Sequence, residues 1–405
     1  MTLRASAFRA AREAIPLFAL YAVLMRDHGL SGGQVATLLI AWSVAGFVFE
    51  VPSGAWADMI DRRRLLLVSG LLYTGCFTTW VLWPSYAGFL LGFVLWALSD
   101  ALMSGTFEAL LYDELAACDR TGAWGRLRSV SETAAVLTMA AASLAATPLF
   151  AWGGYGLVAW VSVGAAAMST AFALALPKAR MVERESEPGP VVRRYLGTLA
   201  EGVREAAGAL VLRRAIAAYA AVVPLIGFDE FLPLVLSEGG ASTGSLGVLT
   251  AAFIAAQAVG TYLADRVSRA GRPAYVVVVV SAGVLTAAGA ALPFPLGFAA
   301  MSGGYLLATS AMVAGEIRVQ HLITGRARAT VTSAAGLANE VASMTTFGLV
   351  ALGSLGWSIA TVVAVLAVPF TVAAAMTGVR LPRRAVHERS GGAEREQPAL
   401  GSGPS

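Results

Sequence analysis

The residues in this chain that could do chemistry are carboxylic acids standing inside apolar runs: Glu50, Asp100, Glu108, Asp229, Glu230, Glu316 and Glu340. An ionised group at the centre of a bilayer costs about 2.5–3.5 kcal/mol on insertion scales. Acids at such depth therefore read as functional candidates. No Lys, Arg or His stands at mid-run beside them, and an interior of carboxylates alone suits protons or cationic groups while leaving an organic anion without a partner. Asp100 and Glu108 lie about 12 Å apart along a helix axis and about 80° round it, so both are expected to border one cavity. Asp229 and Glu230 fall in AVVPLIGFDEFLPLVL, which Pro224, Gly227 and Pro233 interrupt. An interrupted helix frees backbone groups that must line protein or water. Neighbouring helical residues point about 100° apart, so one acid is expected to face the cavity and the other to bond nearby backbone; the alternative places both in an outer vestibule. Glu340, beside Asn339, reads either as a substrate or proton site or as a structural hydrogen-bond partner. A buried acid can take up a proton, and a cation entering the same cavity expels it. Asp100, Asp229, Glu230 and Glu340 are the acids expected to couple the two.

A second cluster is the stretch GAWADMIDRRR, from Gly54 to Arg64, set between two apolar runs. A glycine at a helix end lets helices approach closely, and Asp58 would be favoured by the positive end of a neighbouring helix dipole. Arg62 and Arg63 could reach carboxylates on adjacent helices, with Asp113 and Glu114 as the expected partners. The pattern recurs as TYLADRVSRAGR, where Asp265, Arg266 and Arg269 repeat the spacing of Asp58 and Arg62. Glu50, beside Val51-Pro52, reads as structural or gating, and Glu316 with Arg318 is expected to serve the second copy of the joint. Glu132 is expected to pair with Arg128 four residues before it.

These side chains need long apolar helices to position them. Of the 405 residues, 57% are hydrophobic and 13% charged, against about a quarter charged in a typical soluble protein. Mean hydropathy is +0.70. Roughly twelve apolar runs follow one another: 14–30, 34–56, 65–83, 87–111, 129–150, 155–176, 215–236, 245–264, 274–292, 296–317, 329–352 and 355–379. Each is about the 20 residues that a bilayer crossing needs. Twenty-eight of the 29 basic residues, Arg26 excepted, fall at the ends or between runs on one side. The positive-inside rule makes that side, with both termini, cytoplasmic. The net charge of +4 thus reports topology, and no nucleic-acid binding is read from it. The first run is expected to serve as the insertion signal.

The predicted fold is an all-α membrane protein of twelve transmembrane helices in two pseudo-symmetric six-helix bundles, at 1–176 and 215–381. A linker at 177–214, with an amphipathic surface helix over VVRRYLGTLAEGVREAAGAL, joins them, and residues 382–405 have a disordered composition. A second echo, GRLRSV at 125–130 and GRARAT at 325–330, agrees with duplication. Parallel repeats of this kind place a substrate site between the halves. Neither Cys76 nor Cys118 is placed for a disulfide. His28, His321 and His387 show no metal-ligand spacing, and there is no Walker motif. No cofactor or metal is expected, and no clustered nucleophile or acid–base set suggests an enzyme.

The joint resembles motif A of the major facilitator superfamily, Gly-x-x-x-Asp-(Arg/Lys)-x-Gly-Arg-(Arg/Lys). Gly54, Asp58, Arg62 and Arg63 match, whereas Met59 and Asp61 depart from it. FEVPSGAWADMIDRRRLLL with EALLYDEL at 108–115 looks like one bacterial subgroup of that superfamily, whose substrates are mostly unassigned. The resemblance implies a monomeric carrier in a bacterial plasma membrane, working by alternating access. It also implies that the joint is a clasp closing the cytoplasmic side. The family often carries an arginine near Asp100, but none occurs here between Arg64 and Arg120, and the fifth run lacks the Gly-Pro motif of many family drug antiporters. The expected function is proton-coupled export of a cationic or amphiphilic small molecule. An uptake symporter is the alternative; a non-transporting sensor and a lipid-modifying membrane enzyme are the readings from other classes.

Overall fold

The structure, a computed structural model, describes residues 2–177, 197, 210–322 and 328–381. Most of the linker helix expected around 191–210, the tail and the first half of the GRARAT echo, 325–327, lie outside the described residues.

The first crossing begins at α1 (Thr2–Glu13), well ahead of the expected start at 14. Ala5, Phe8, Ala11 and Arg12 are buried on α1, spaced to form one helical face. That face packs on α7 (Trp124–Leu174). Pro16 opens a 3-10 turn, Pro16–Ala19, because proline lacks the N–H a continuing helix needs. The crossing resumes as α2 (Tyr21–Asp27). There follow α3 (Gly32–Met59), α4 (Arg62–Leu82), α5 (Tyr86–Met103) and α6 (Thr106–Ala117). The last two form one crossing, broken at Ser104–Gly105.

A straight helix as long as α7 would measure about 76 Å, more than twice the ~30 Å hydrocarbon core. Its backbone leaves helical geometry at Gly153 and at Gly154, which sits at φ 57°, ψ −156°, a conformation open only to glycine. Ser6 Oγ lies 3.4 Å from Ser131 Oγ, and Arg4 donates to the Ala175 carbonyl at 3.3 Å. Both ends of α7 therefore return to the start of α1, and α7 is two antiparallel crossings.

The second half repeats the plan. Crossing seven is α8 (Leu210–Ala220), α9 (Val223–Ile226), the 3-10 segment Gly227–Phe231 and α10 (Leu232–Glu238). It is broken where crossing one is broken, at the same place in its half. Then come α11 (Leu246–Arg269), α12 (Arg272–Ala291), α13 (Leu296–Leu322), α14 (Arg328–Gly353) and α15 (Ile359–Val379). Among the described residues ten helical runs are long and apolar enough to cross a membrane. The doubled α7 and the broken first segment bring the crossings to the expected twelve. The protein is a multi-pass, all-helical membrane protein.

The halves meet along α3 with α14 and α7 with α11. These contacts lie at the end away from the chain termini. There the Val248 N–H donates to Thr147 Oγ1 at 3.2 Å, and a Cβ on Gly33 would stand 3.2 Å from the Ala351 carbonyl.

Candidate functional site

A cavity of about 360 Å³ lies between the halves, at the depth where crossings one and seven break. The first half contributes Arg12, Glu13, Tyr21, Trp96 and Asp100; the second contributes Asp229, Glu230, Gln257 and Tyr305. Three of the expected coupling acids are thus brought together. Glu108 and Glu340 are half-buried elsewhere and do not line the cavity. The expectation that Asp100 and Glu108 share it fails because the break at Ser104–Gly105 removes the continuous helix on which it rested.

Asp100 has a guanidinium beside it, contrary to the expectation of an interior without bases. Arg12 is only 3% exposed. Its Nη2 donates to Asp100 Oδ1 at 2.5 Å and to Ser99 Oγ at 2.9 Å, and its Nη1 donates to Ser69 Oγ at 3.3 Å. The group lies over the Tyr73 ring at 4.3 Å. Ser69 and Ser99 hold each other through reciprocal hydroxyl-to-carbonyl bonds of 2.8 Å. This guanidinium is supplied by α1, 88 positions before Asp100. Three of its five N–H donors are thus taken within the first half, one of them by the Asp100 carboxylate.

Asp229 and Glu230 each accept from a phenol rather than from a base, and Asp229 also accepts from the backbone at Asp229 and Glu230. Tyr305 donates to Asp229 Oδ2 at 2.6 Å within the second half. Tyr21 donates to Glu230 Oε2 across the cavity from the first half. Both acids line the cavity; the expected bond to neighbouring backbone is made by Asp229, but that acid faces the cavity as well. In a 3-10 segment the two side chains diverge differently than on an α-helix. Aromatic rings complete the walls: Phe18 stacks on Trp96 at 5.2 Å, and Phe253 lies 4.2 Å from Tyr305.

Arg9 extends the charge network toward the terminus-bearing end. It bonds Glu13 at 3.3 Å and Glu132 at 3.0 Å. Glu132 thus serves α1, where a local pair with Arg128 is the sequence expectation. Sequence reading misses Arg12, Glu13, Tyr21 and Tyr305. The signal available for the first two is the helical spacing of Ala5, Phe8 and Ala11, which marks a buried face upstream of the apolar run.

At the terminus-bearing end the two copies of the charged joint differ. Arg62 pairs with Asp113 of α6, and Arg63 donates to the Leu174 carbonyl at the end of α7. The first copy therefore ties α4 to two neighbours. Asp61 caps α4, accepting the Arg64 N–H at 3.0 Å, which gives a physical reason for an acid where the motif has glycine. The Gly54 and Asp58 side-chain positions lie outside the described residues. In the second copy Arg269 pairs with Asp265 on the same exposed turn of α11, and Arg266 lies 5.4 Å over Tyr262. The tie there is made by Arg318 instead, which donates to the carbonyls of Val267, Ser268 and Ala270 at 3.2, 3.2 and 2.9 Å. Glu316 is exposed. Glu50 accepts from Ser104 Oγ at 3.2 Å, bridging α3 to the break between α5 and α6.

The family model described as the Major Facilitator Superfamily matches residues 5–345. The uncharacterized MFS-type transporter YxaM of Bacillus subtilis (strain 168) is 33% identical over 110 residues, so the match spans 26% of each chain. The nucleoside transporter NupG superposes with a TM-score of 0.72 at 11% identity, covering 94% of this chain and 98% of that one. A bacterial homologue of the human lysosomal transporter Spinster, in an inward-facing and occupied conformation, gives 0.69 at 16% identity over 94% and 95%. Likeness at these identities is a likeness of fold.

Proposed function

This chain belongs to the major facilitator superfamily, a superfamily of transporters rather than enzymes, and on that footing we propose that it is a secondary active transporter exporting a cationic or amphiphilic small molecule in exchange for protons. The observation that carries the proposal is the charge of the central cavity. Glu13, Asp100, Asp229 and Glu230 line it against one guanidinium, Arg12, which is bonded to Asp100, Ser99 and Ser69. A carboxyl can hold a proton or a cation in turn, and that competition is the elementary step of exchange. The aromatic walls supply apolar contact and cation–π attraction.

Alternating access follows from the two half-bundles and the cavity between them. With the halves joined away from the termini, the cavity is reached from the terminus-bearing end, where Asp100 is 42% exposed. The basic bias of that end supports a cytoplasmic orientation in a bacterial plasma membrane; the conformation is then inward-facing. In this reading Arg62, Arg63 and Asp113 tie the first half as one rigid body, Arg318 does so for the second, and Glu50 follows the hinge at Ser104–Gly105. Asp58, Asp265, Arg266, Arg269 and Glu316 remain proposed gate residues on their motif positions, and Glu108 and Glu340 as secondary acids outside the cavity.

The test is proton flux in proteoliposomes carrying an imposed pH gradient, screened with cationic, neutral and anionic compounds. Cationic amphiphiles are expected to dissipate the gradient, and Glu230→Gln to abolish that while counterflow of labelled substrate persists. Proton movement driven only by anions or neutral metabolites would sink the proposal.

A further inference from the structure

The adjacent acids Asp229 and Glu230 each accept one phenolic O–H, but from opposite sides of the molecule. Tyr305, the partner of Asp229, belongs to the same half as the acid. Tyr21, the partner of Glu230, belongs to the other half. Tyr21 opens α2, the piece of broken crossing one that runs to the joined end. Glu230 stands just before α10, the corresponding piece of broken crossing seven, and α2 packs on α10. The Tyr21 ring is 5% exposed and fixed by Trp80 at 5.9 Å and Phe93 at 6.1 Å. Its hydroxyl is therefore held out to Glu230 by a rigid aromatic cluster.

We propose that Tyr21 holds the place on Glu230 that a substrate N–H or O–H donor takes, and that losing Glu230 to the substrate unties the two halves where the broken crossings meet. A ligand shifts a conformational equilibrium only by its unequal affinity for the two states. Here the inequality has a structural source. In the joined state the ligand must displace Tyr21 from Glu230; in the parted state Glu230 is already vacant. Asp229 offers no such coupling, because Tyr305 travels with it. The substrate chemistry follows: a protonated amine or a hydroxyl can replace a phenolic donor, whereas a quaternary ammonium has no hydrogen to donate. The inference rests on alternating access but on neither the coupling ion nor the direction of transport, so it can fail while the proton-flux experiment succeeds, and the reverse.

Leu82 and Leu355 are exposed at the joined end, one in each half. Spin labels on Leu82→Cys and Leu355→Cys, in a Cys118→Ser background, would report their separation in nanodiscs. Without ligand, Tyr21→Phe is expected to enlarge the long-distance population at least threefold, and Tyr305→Phe to leave it unchanged. Glu230→Ala should match Tyr21→Phe, and the double variant should add nothing, since one bond is removed in each case. An unchanged distribution in both Tyr21→Phe and Glu230→Ala overturns the proposal. So does an equal response in Tyr305→Phe. Benzylammonium is expected to enlarge the same population in the unsubstituted pair-labelled protein, and benzyltrimethylammonium not to. A response to both, or to neither, overturns the donor replacement.

Discussion

At the scale of single residues, Arg12 has the most consequences. It is buried at 3% exposure against two serines, an aspartate and a tyrosine ring. Removing one member of a buried ion pair costs about 3–5 kcal/mol because the other charge is left uncompensated. Asp100 is 42% exposed, so water recovers part of that. Arg12→Met is therefore expected to destabilise the protein by about 2–3 kcal/mol, and Arg12→Met with Asp100→Leu by clearly less. Denaturation midpoints of the two variants check this; equal losses would mean that Asp100 does not depend on Arg12. Arg12→Lys should not rescue the loss, since an ammonium cannot span three acceptors set for a planar fork. The position of Arg12 could not be read from local composition, because Arg4, Arg9, Arg12 and Glu13 make the first turns look like a polar leader.

At the scale of helices, the two copies of the charged joint predict unequal energies. Arg62 and Asp113 are 13% and 23% exposed and join two helices, whereas Arg269 and Asp265 are 66% and 54% exposed within one turn. Exposed pairs of the second kind are worth about 0.3–0.5 kcal/mol. A double-mutant cycle is expected to give Arg62–Asp113 a coupling of at least about 1 kcal/mol, toward the top of the range for exposed pairs, and Arg269–Asp265 less than half of it. Equal couplings would make the joint a duplicated topology signal and nothing more. A second element-scale prediction concerns the contact of α7 with α11. A Cβ on Gly247 would stand 2.5 Å from the Ser143 carbonyl and 2.9 Å from the Thr147 nitrogen. Backbone cannot yield as a flexible side chain does. Gly247→Val is expected to wedge the joined end apart, raising thiol labelling at that end severalfold and slowing turnover. Wild-type labelling and transport would show that the two helices separate there at no cost.

At the scale of the whole molecule, orientation is the quantity to measure. Cys118 is free and exposed in the turn after α6, at the terminus-bearing end, while Cys76 is buried. In intact cells an impermeant maleimide is expected to miss Cys118 and to label Ser85→Cys in a Cys118→Ser background. Permeabilised cells should label both. Labelling of Cys118 in intact cells would invert the topology and, with it, the inward-facing assignment.

What the amino-acid sequence determined alone is the architecture. Hydropathy is a property of composition over about 20 residues, and charge bias along the chain needs no contact between distant parts, so the twelve crossings and the duplication were legible, the first crossing only from residue 14 onward. The depth of Asp100, Asp229 and Glu230 was legible for the same reason. Only the tertiary structure decided what each acid meets. Arg12 and Asp100 are separated by 88 positions, and Tyr21 and Glu230 by 209; no local pattern encodes a partner at such a distance. The upstream half of the first crossing escaped because it buries one face only, so its mean polarity is that of a leader. The two copies of the joint diverged for a related reason: the same short spacing meets Asp113 in one half, and in the other folds onto its own helix turn while Arg318 makes the tie.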